Sequence, residues 1–282
     1  MKHKITRDAV GKFRTYLIYE EKSAATLEKY TRDLEAFLLW LGKRTLVKTD
    51  VLAYKEYLME RYAAASVNSI LSALNSFFMY HAWFDCKVKT IKMQKQIFCT
   101  EQKELTKPEY EKLLKAALHT DNHRLYHLMQ TICATGIRIS ELRFITVEAV
   151  RRGQARVQCK GKMRTVILPR DLCRILTGYI RKYSITSGSV FVSRNGRPLD
   201  RSNIWNEMKK LCAAAGVPKA KVFPHNLRHL FARTYYSAQK DIVRLADILG
   251  HGNIDTTRIY TVESGEIHRR QMQRLGLVHM NI

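Results

Sequence analysis

Several features that define other classes of protein are missing from this sequence. No apolar run is long enough to span a bilayer, and Met1-Lys2-His3-Lys4 is followed by no apolar signal core, so we expect neither a membrane span nor a secretory leader. The six cysteines are scattered without a Cys-x-x-Cys pair. This argues against a zinc site and a disulfide framework, and it favours a reducing cytoplasm. No internal repeat or low-complexity segment is visible.

Acidic residues are also scarce. Asp and Glu total 25 against 49 Lys and Arg in 282 residues, which gives a formal net charge of +24. Such an excess favours a polyanionic partner, and we expect nucleic acid rather than a membrane surface. The hydrophobic fraction of 46% indicates a globular chain, and its length allows one large domain or two modest ones.

The first 85 residues have the pattern of a small helical bundle. Apolar side chains recur at helical spacing in four segments that are separated by short connections. The Tyr and Phe residues in these stripes are interpreted as core, not as platforms for base stacking. The predicted helices begin near residue 6, after Ser23, near Thr49-Asp50 and at Ser66.

Helical periodicity fails between residues 86 and 102, where lysine predominates. Lys87, Lys89, Lys92 and Lys95 follow one another without an intervening acid. We predict an interdomain linker with a basic face. Two interpretations remain open, a solvated tether or a strip whose lysines contact phosphates if two domains clamp a duplex.

Residues 103–282 are interpreted as a second, mostly helical domain with a small β insert. Thr106-Lys107-Pro108-Glu109 is a typical helix start, with a Thr N-cap and a Glu three residues later. Ala155–Gln158 and Arg164–Leu168 are β-like runs that flank a basic tip, so we predict a hairpin. Val190–Val192 is a further candidate strand.

Side chains suited to phosphodiester chemistry are concentrated near the C-terminus. His225, Arg228, His251 and Tyr260 occur within one helical stretch. An arginine holds a phosphate by two hydrogen bonds, an imidazole moves a proton near neutral pH, and a tyrosine hydroxyl can be a covalent nucleophile. Together they favour attack on a phosphodiester. Position alone is weak support for Tyr260, since the chain has 14 tyrosines.

An earlier motif supplies another arginine. In Ala134–Leu142 a glycine precedes a short predicted helix that carries Arg138 on its first turn. Taken alone, Arg138 would be interpreted as a surface residue. Its significance comes from the other motifs.

Four motifs in order resemble the tyrosine recombinases, the family of phage integrases and Xer-type site-specific recombinases. They are Thr-Gly-x-Arg-x-Ser-Glu-Leu at 135–142, Lys-Gly at 160–161, His-x-Leu-Arg-His at 225–229, and Leu-Gly-His at 249–251 followed by Tyr260. Each motif is weak alone, but four in order at suitable spacing are specific. The resemblance covers the whole chain.

The resemblance implies a set of catalytic residues, and it implies no cofactor, metal ion or ATP. Tyr260 is the expected nucleophile, and two arginines clamp the scissile phosphate. Lys160 is the expected general acid on the hairpin, with Lys162 as the alternative and as a candidate DNA contact. Glu141 and His229 are expected to support the site. The full expected catalytic set is Arg138, Lys160, His225, Arg228, His251 and Tyr260.

The resemblance also implies a mainly α fold. An N-terminal four-helix core-binding (SAM-like) bundle would occupy residues 1–85, with the linker at 86–102. A mostly helical catalytic domain with a small β-sheet, the DNA breaking–rejoining fold, would occupy 103–282. A C-terminal helix at about 265–282 would dock onto a neighbouring protomer, or else fold back on its own domain.

The implied function is site-specific recombination through a 3′-phosphotyrosine intermediate and a Holliday junction. The expected partners are double-stranded DNA with a short inverted-repeat core site and three further copies in a homotetramer, with room for accessory DNA-bending proteins. We expect a cytoplasmic, nucleoid-associated protein. Because the bundle begins at about residue 6, we expect no additional arm-binding domain, which favours a mobile element or an invertible segment.

Some alternatives remain open from the sequence. Integration, excision, inversion and resolution share one chemistry. A relaxing enzyme similar to type IB topoisomerases would use the same residues without synapsis. A DNA-binding architectural protein would use none of them.

Overall fold

The structure is a computed structural model that describes residues 2–93, 104–159, 162–193, 195–260 and 272–275. The chain divides into two compact units, Met1–Lys95 and Gln96–Ile282, and each is described by itself. Within the described residues, no helix combines the length and the apolar character needed to cross a membrane. The expectation of a mainly α chain with one small hairpin is confirmed.

Four helices build the first unit and begin close to the predicted positions. Thr6 and Ser23 are the N-caps of the first two helices, and each accepts from a backbone N–H of the first turn. The large rings at the helical positions are buried, so the interpretation of the aromatic stripes as core is confirmed. The helices are α1 Arg7–Tyr19, α2 Ala24–Leu41, α3 Lys48–Arg61 and α4 Ala64–Tyr80.

After the bundle the chain runs extended along α4. The Asn75 side chain donates to the Val88 carbonyl at 2.9 Å and accepts from the Val88 N–H at 3.0 Å. Asn68 does the same for Ile91, at 2.9 and 2.7 Å. An amide side chain that offers one donor and one acceptor substitutes here for a neighbouring strand. The first part of the segment predicted as a linker is therefore held against the bundle.

This register determines which lysines reach solvent. Val88 is buried, whereas Lys89 is exposed, as the two-residue period of extended backbone requires. Lys87 is half-buried and Lys92 is exposed. Lys95 lies outside the described residues.

The second unit is helical apart from one hairpin. Its first helix has the predicted capping box, in which Thr106 accepts from the Glu109 N–H and Glu109 accepts from the Thr106 N–H. The helices are α5 Lys107–His119, α6 His123–Thr135, α7 Val147–Arg152, α8 Arg170–Lys182, α9 Arg201–Ala215, α10 Pro224–Gln239 and α11 Ile242–Leu249.

The predicted hairpin is present. Strands β1 (Gln154–Cys159) and β2 (Lys162–Ile167) pair antiparallel, and Val157 and Val166 face the core. Residues 160 and 161 at the tip lie outside the described residues, so the structure does not describe Lys160.

The prediction of an additional strand at Val190–Val192 is wrong, since the structure describes these residues and they form no strand. Val192 makes only an isolated bridge to Pro198, and Val190 donates to the Ile145 carbonyl at 2.8 Å. Val190 and Phe191 are nonetheless buried. A short apolar run in a sequence indicates that the segment is buried. Burial alone does not distinguish a strand from an irregular core segment.

Replacement of Asn75 by Ala is expected to release the extended segment from α4. Because both backbone groups of Val88 lose their partner, we expect a loss of about 1–3 kcal/mol in the free energy of unfolding. The measurement is urea unfolding together with hydrogen exchange of the Val88 amide, which is expected to accelerate. Asn206→Ala, at an exposed position of α9, is the control. Unchanged protection of the Val88 amide would show that Asn75 does not hold the segment.

Candidate active site

Three arginines meet at the C-terminal end of α11. The last carbonyls of a helix have no partner within the helix and carry the negative end of its dipole, so cations are stabilised there. The arginines come from three different elements, and each donates to a different carbonyl. The pairs are Arg164 Nη1 with Ile248 O at 2.6 Å, Arg228 Nη2 with Leu249 O at 2.8 Å, and Arg138 Nη2 with Gly250 O at 3.4 Å.

Arg138 lies one position before a helix, not on its first turn as predicted. It is the extended N-cap of a 3-10 helix at Ile139–Phe144, with φ −77° and ψ 148°. Its backbone N–H donates to Glu141 Oε2 at 2.9 Å and its Nη1 to Glu141 Oε1 at 3.0 Å. Glu141 thus orients both the turn and the guanidinium.

Glu141 is a buried carboxylate, with a relative exposure of 1%. Besides Arg138 it accepts from Arg164 Nη2 at 2.7 Å. Burial raises the pKa of Glu141, but the N–H of Arg138 and the charges of Arg164 and Arg138 outweigh burial and hold the pKa below its usual range. Glu141 is therefore ionised at neutral pH, and the expectation that it supports the site agrees with this position.

Arg228 is buried, with 1% exposure. Its Nη1 donates to the Gly136 carbonyl, and its Nη2 faces His251 Nε2 at 3.0 Å. Burial and then the charge of Arg138 lower the pKa of Arg228 to about 10, so the group stays cationic at neutral pH. Among the described residues its Nε finds no hydrogen-bond partner although it is buried. An ionised donor of this kind is suited to an anionic ligand.

The proton of His251 can be assigned from its neighbours. Arginine only donates, so Nε2 of His251 accepts from Arg228. In the neutral ring Nδ1 then carries the proton and donates to Thr257 Oγ1 at 2.8 Å. Burial and the charges of Arg228, Arg138 and Arg164 lower the pKa of His251 to about 4. His251 is therefore neutral at pH 7.

Tyr260 is buried at 4% exposure and lies against the same groups. Its ring stacks on His251 with centroids 6.1 Å apart and meets His229 edge-on at 5.0 Å. Its hydroxyl interacts with the Arg228 side chain. The Tyr260 N–H donates to the Thr257 carbonyl at 3.0 Å, so Thr257 links the phenol-bearing turn to the His251 ring.

A cavity of about 390 Å³ opens in front of the arginines. Arg138, Arg228 and His225 line it, together with Arg201 and Trp205 of α9. His225 is exposed to this space, yet desolvation by the walls, followed by the charges of Arg228, Arg138 and Arg201, lowers its pKa. The cavity therefore combines fixed positive charge with a neutral imidazole.

The structure brings most of the predicted catalytic residues to one place. Arg228 donates to His251, on which the Tyr260 ring stacks, and the ring of His225 meets that of His229 at 4.5 Å. Lys160 lies outside the described residues, and Lys162 forms the first position of β2. Within the described residues, the cluster with metal-ligand spacing is His3, Asp85 and Cys86 of the first unit.

Four contributors were missed from the sequence. Arg164 lies on β2, and its place in the predicted hairpin was the available signal. Thr257 lies on the turn before Tyr260, where the i, i+3 spacing was the available signal. Arg201 and Trp205 had no signal, because the stretch from Asp200 suggested only a helix.

Comparisons with known proteins agree with this geometry. The models "Phage integrase family" and "Phage integrase, N-terminal SAM-like domain" match residues 103–266 and 10–83. The chain is 29% identical to tyrosine recombinase XerA of Pyrococcus furiosus over 99% of this chain and 98% of that protein. A lambda integrase dimer bound to a COC′ core site shares the fold at 18% identity, with a TM-score of 0.74. The match covers 92% of this chain and 95% of that chain. A lambda integrase tetramer bound to a Holliday junction is 18% identical, with a TM-score of 0.73, and the match covers 90% of this chain and 76% of that chain.

Replacement of Gly250 by Ala is expected to displace Arg164. Gly250 has φ +66°, and an added Cβ would lie 2.8 Å from Arg164 Nε and closer still to its Cδ. Gly216, also at a helix C-terminus with φ +61°, has nothing within 4 Å of the same position. Both Ala variants should lose about 1 kcal/mol through the left-handed backbone alone. Urea unfolding is expected to show a larger loss for Gly250→Ala, and equal losses would contradict the contact.

Acid is expected to destabilise the fold through His251. The unfolded chain binds this proton near pH 6.5, but the folded chain binds it only near pH 4. Stability is therefore complete above pH 6.5 and falls as the pH drops towards 4. His251→Gln removes this contribution, so the variant should lose less stability between pH 7 and pH 5, by on the order of 1 kcal/mol. Parallel curves for both proteins in urea unfolding would contradict a neutral buried His251.

Proposed function

The chain belongs to the phage integrase family, and from this premise we propose the reaction that its site performs. It is a tyrosine-type site-specific recombinase that cleaves and rejoins DNA. The observation that carries the assignment is that the Tyr260 ring stacks on His251, which accepts from Arg228, beside a cavity that Arg138 and Arg228 line. The phenol thus lies beside one of two fixed cations, and both cations border a space large enough to admit a DNA phosphate.

In the proposed reaction Tyr260 Oη attacks the scissile phosphorus. The bond from phosphorus to the 5′-oxygen breaks, and a 3′-phosphotyrosine ester and a 5′-hydroxyl result. The pentacoordinate transition state carries additional negative charge, which Arg138 and Arg228 stabilise through planar, permanently charged forks. Because the phosphotyrosine ester preserves the energy of the broken bond, a new 5′-hydroxyl can reverse the step without ATP.

Proton transfer is assigned to the imidazoles and to the hairpin lysine. His225 is neutral and exposed to the cavity, which suits acceptance of the phenol proton. For His251 to donate to a phosphate oxygen, Nε2 must gain a proton, and the negative charge of the entering phosphate favours that gain. Lys160 is proposed as the donor to the leaving 5′-oxygen, with Lys162 as the alternative.

Further lysines are proposed to contact DNA phosphates. The extended segment beside α4 presents exposed Lys89 and Lys92, and Lys87 near its start is half-buried. Lys95 and Lys162 belong to the same proposed set. Each neutralised phosphate releases counterions, so binding is expected to weaken steeply with salt. The matches over 10–83 and 103–266 support two DNA-gripping domains joined by this basic segment.

The proposed assembly is a homotetramer on two duplexes. Successive pairs of protomers would exchange strands through a Holliday junction between short inverted-repeat core sites. The shared fold with a lambda integrase tetramer bound to such a junction supports this arrangement. The helix at about 265–282, most of which lies outside the described residues, is proposed to dock onto a neighbouring protomer. We place the protein on the nucleoid in the cytoplasm, acting for a mobile element or an invertible segment.

Tyr260→Phe is expected to abolish covalent capture of DNA. The substrate is a core site, located by footprinting, with a nick beside the cleavage position so that the short 5′-hydroxyl fragment diffuses away. Wild type should give a protein–DNA adduct that survives denaturation. Tyr235→Phe and Tyr236→Phe remove half-buried phenols packed beside the same apolar cluster and should retain the adduct. An adduct with Tyr260→Phe would refute the nucleophile assignment.

The packing of Tyr260 on its own domain also predicts that each protomer cleaves with its own tyrosine. Tyr260 packs with Ala232, Leu245 and Leu249 of the same chain. A mixture of Tyr260→Phe and Arg228→Gln protomers, each inactive alone, should therefore remain inactive. Recovery of adduct in the mixture would show that the nucleophile comes from a neighbour.

A further inference from the structure

We propose that Arg164 is a positioning residue for strand cleavage, which holds Glu141 so that the Arg138 guanidinium stays directed at the scissile phosphate. The inference rests on the proposed function and adds to it a residue outside the catalytic set. Arg164 belongs to β2, the strand that leaves the hairpin tip. It is absent from the described lining of the cavity, so it acts through another group.

Arg164 joins two parts of the site through one planar fork. Its Nη2 donates to Glu141 Oε2 at 2.7 Å, and its Nη1 donates to the Ile248 carbonyl at 2.6 Å. The side chain is 14% exposed and passes directly over Gly250, where no Cβ would fit. The hairpin strand, the 3-10 turn and the end of α11 are therefore held in one geometry by one side chain.

The role of Arg164 follows from the charge on Glu141. This carboxylate is buried, and among the described residues its ion-pair partners are Arg164 and Arg138. With Arg164 present, the guanidinium of Arg138 gives only Nη1 to Glu141 and keeps its other donors towards Gly250 and the cavity. Without Arg164, the buried carboxylate has a single counter-ion. A bidentate pair with Arg138 would then be the most stable arrangement and would draw the guanidinium away from the phosphate.

Arg164 is suited to this role by shape as well as by charge. A lysine would neutralise Glu141, but its single ammonium cannot reproduce the two divergent bonds of the guanidinium fork. Arg164→Lys is therefore expected to keep the fold and to lose part of the cleavage rate. Arg164→Gln removes the charge and should lose more.

The test compares cleavage of two substrates under single-turnover conditions with saturating protein. On an ordinary phosphodiester, Arg164→Gln is expected to cleave about 10–100-fold more slowly than wild type, with DNA affinity nearly unchanged. On a substrate with a neutral methylphosphonate at the scissile position, the transition state carries less negative charge and depends less on Arg138. The gap between variant and wild type should then shrink to a few-fold. A merely structural defect would slow both substrates equally.

A third substrate distinguishes the two sides of the site that Arg164 touches. In a 5′-bridging phosphorothiolate the leaving group is a thiolate, which needs no proton from a general acid. If Arg164 acted through the hairpin lysine, this substrate would restore the variant and the methylphosphonate would not. That result would overturn the proposal. So would an Arg164→Gln variant that cleaves as fast as wild type, or one whose cleavage rate falls by the same factor on the phosphodiester and the methylphosphonate.

The controls separate this inference from the proposed function. Arg174→Gln, on the exposed face of α8 with 78% of its side chain accessible, should cleave all substrates as wild type does. Tyr260→Phe should form no adduct on any of them. If wild type itself forms no adduct, the proposed function fails rather than the role of Arg164. If Arg164→Gln does not fold, the same substrates are compared with Arg164→Lys. Its cleavage rate should fall less than that of Arg164→Gln, and the methylphosphonate must still narrow the difference in rate from wild type.

Discussion

The end of one short helix holds the candidate active site together. Guanidinium groups repel one another, and burial of a cation is costly unless it is paired. The last two carbonyls of α11 and that of its C-cap Gly250 supply the negative end of a dipole, and Glu141 supplies a full negative charge. These acceptors allow Arg138, Arg164 and Arg228 to lie close together without loss of their charge. The position of each arginine therefore depends on where α11 ends.

The same helix also determines where Tyr260, the proposed nucleophile, lies. Leu245 and Leu249 of α11 form, with Ala232 of α10, the apolar surface on which Tyr260 packs. The carbonyl of Leu249 meanwhile binds Arg228, whose side chain interacts with the Tyr260 hydroxyl. The proposed nucleophile and the proposed phosphate-binding arginine are thus positioned by one rigid element. This arrangement orients both groups before substrate binds. The entropy lost in ordering their side chains is therefore lost during folding and does not add to the activation barrier.

Much of this organisation could be predicted from sequence, because it is encoded locally. The helices of the first unit follow from apolar spacing and from caps such as Ser23, and the hairpin follows from two short runs around a basic tip. Motif order predicted that Arg138, Arg228 and Tyr260 belong to one site. Val190–Val192 was assigned wrongly because burial and strand pairing leave the same signal in a short apolar run.

The amino-acid sequence by itself determined the residue types, the helical pattern and the chemistry that they suit. Only the tertiary structure decided which groups pair. Arg164 meets Glu141 and Ile248, which are 23 and 84 residues away in the chain. The proton of His251 lies on Nδ1 because Arg228, 23 residues earlier, donates to Nε2. Such pairings depend on how distant segments pack, and local periodicity contains no information about the angles and distances that packing sets.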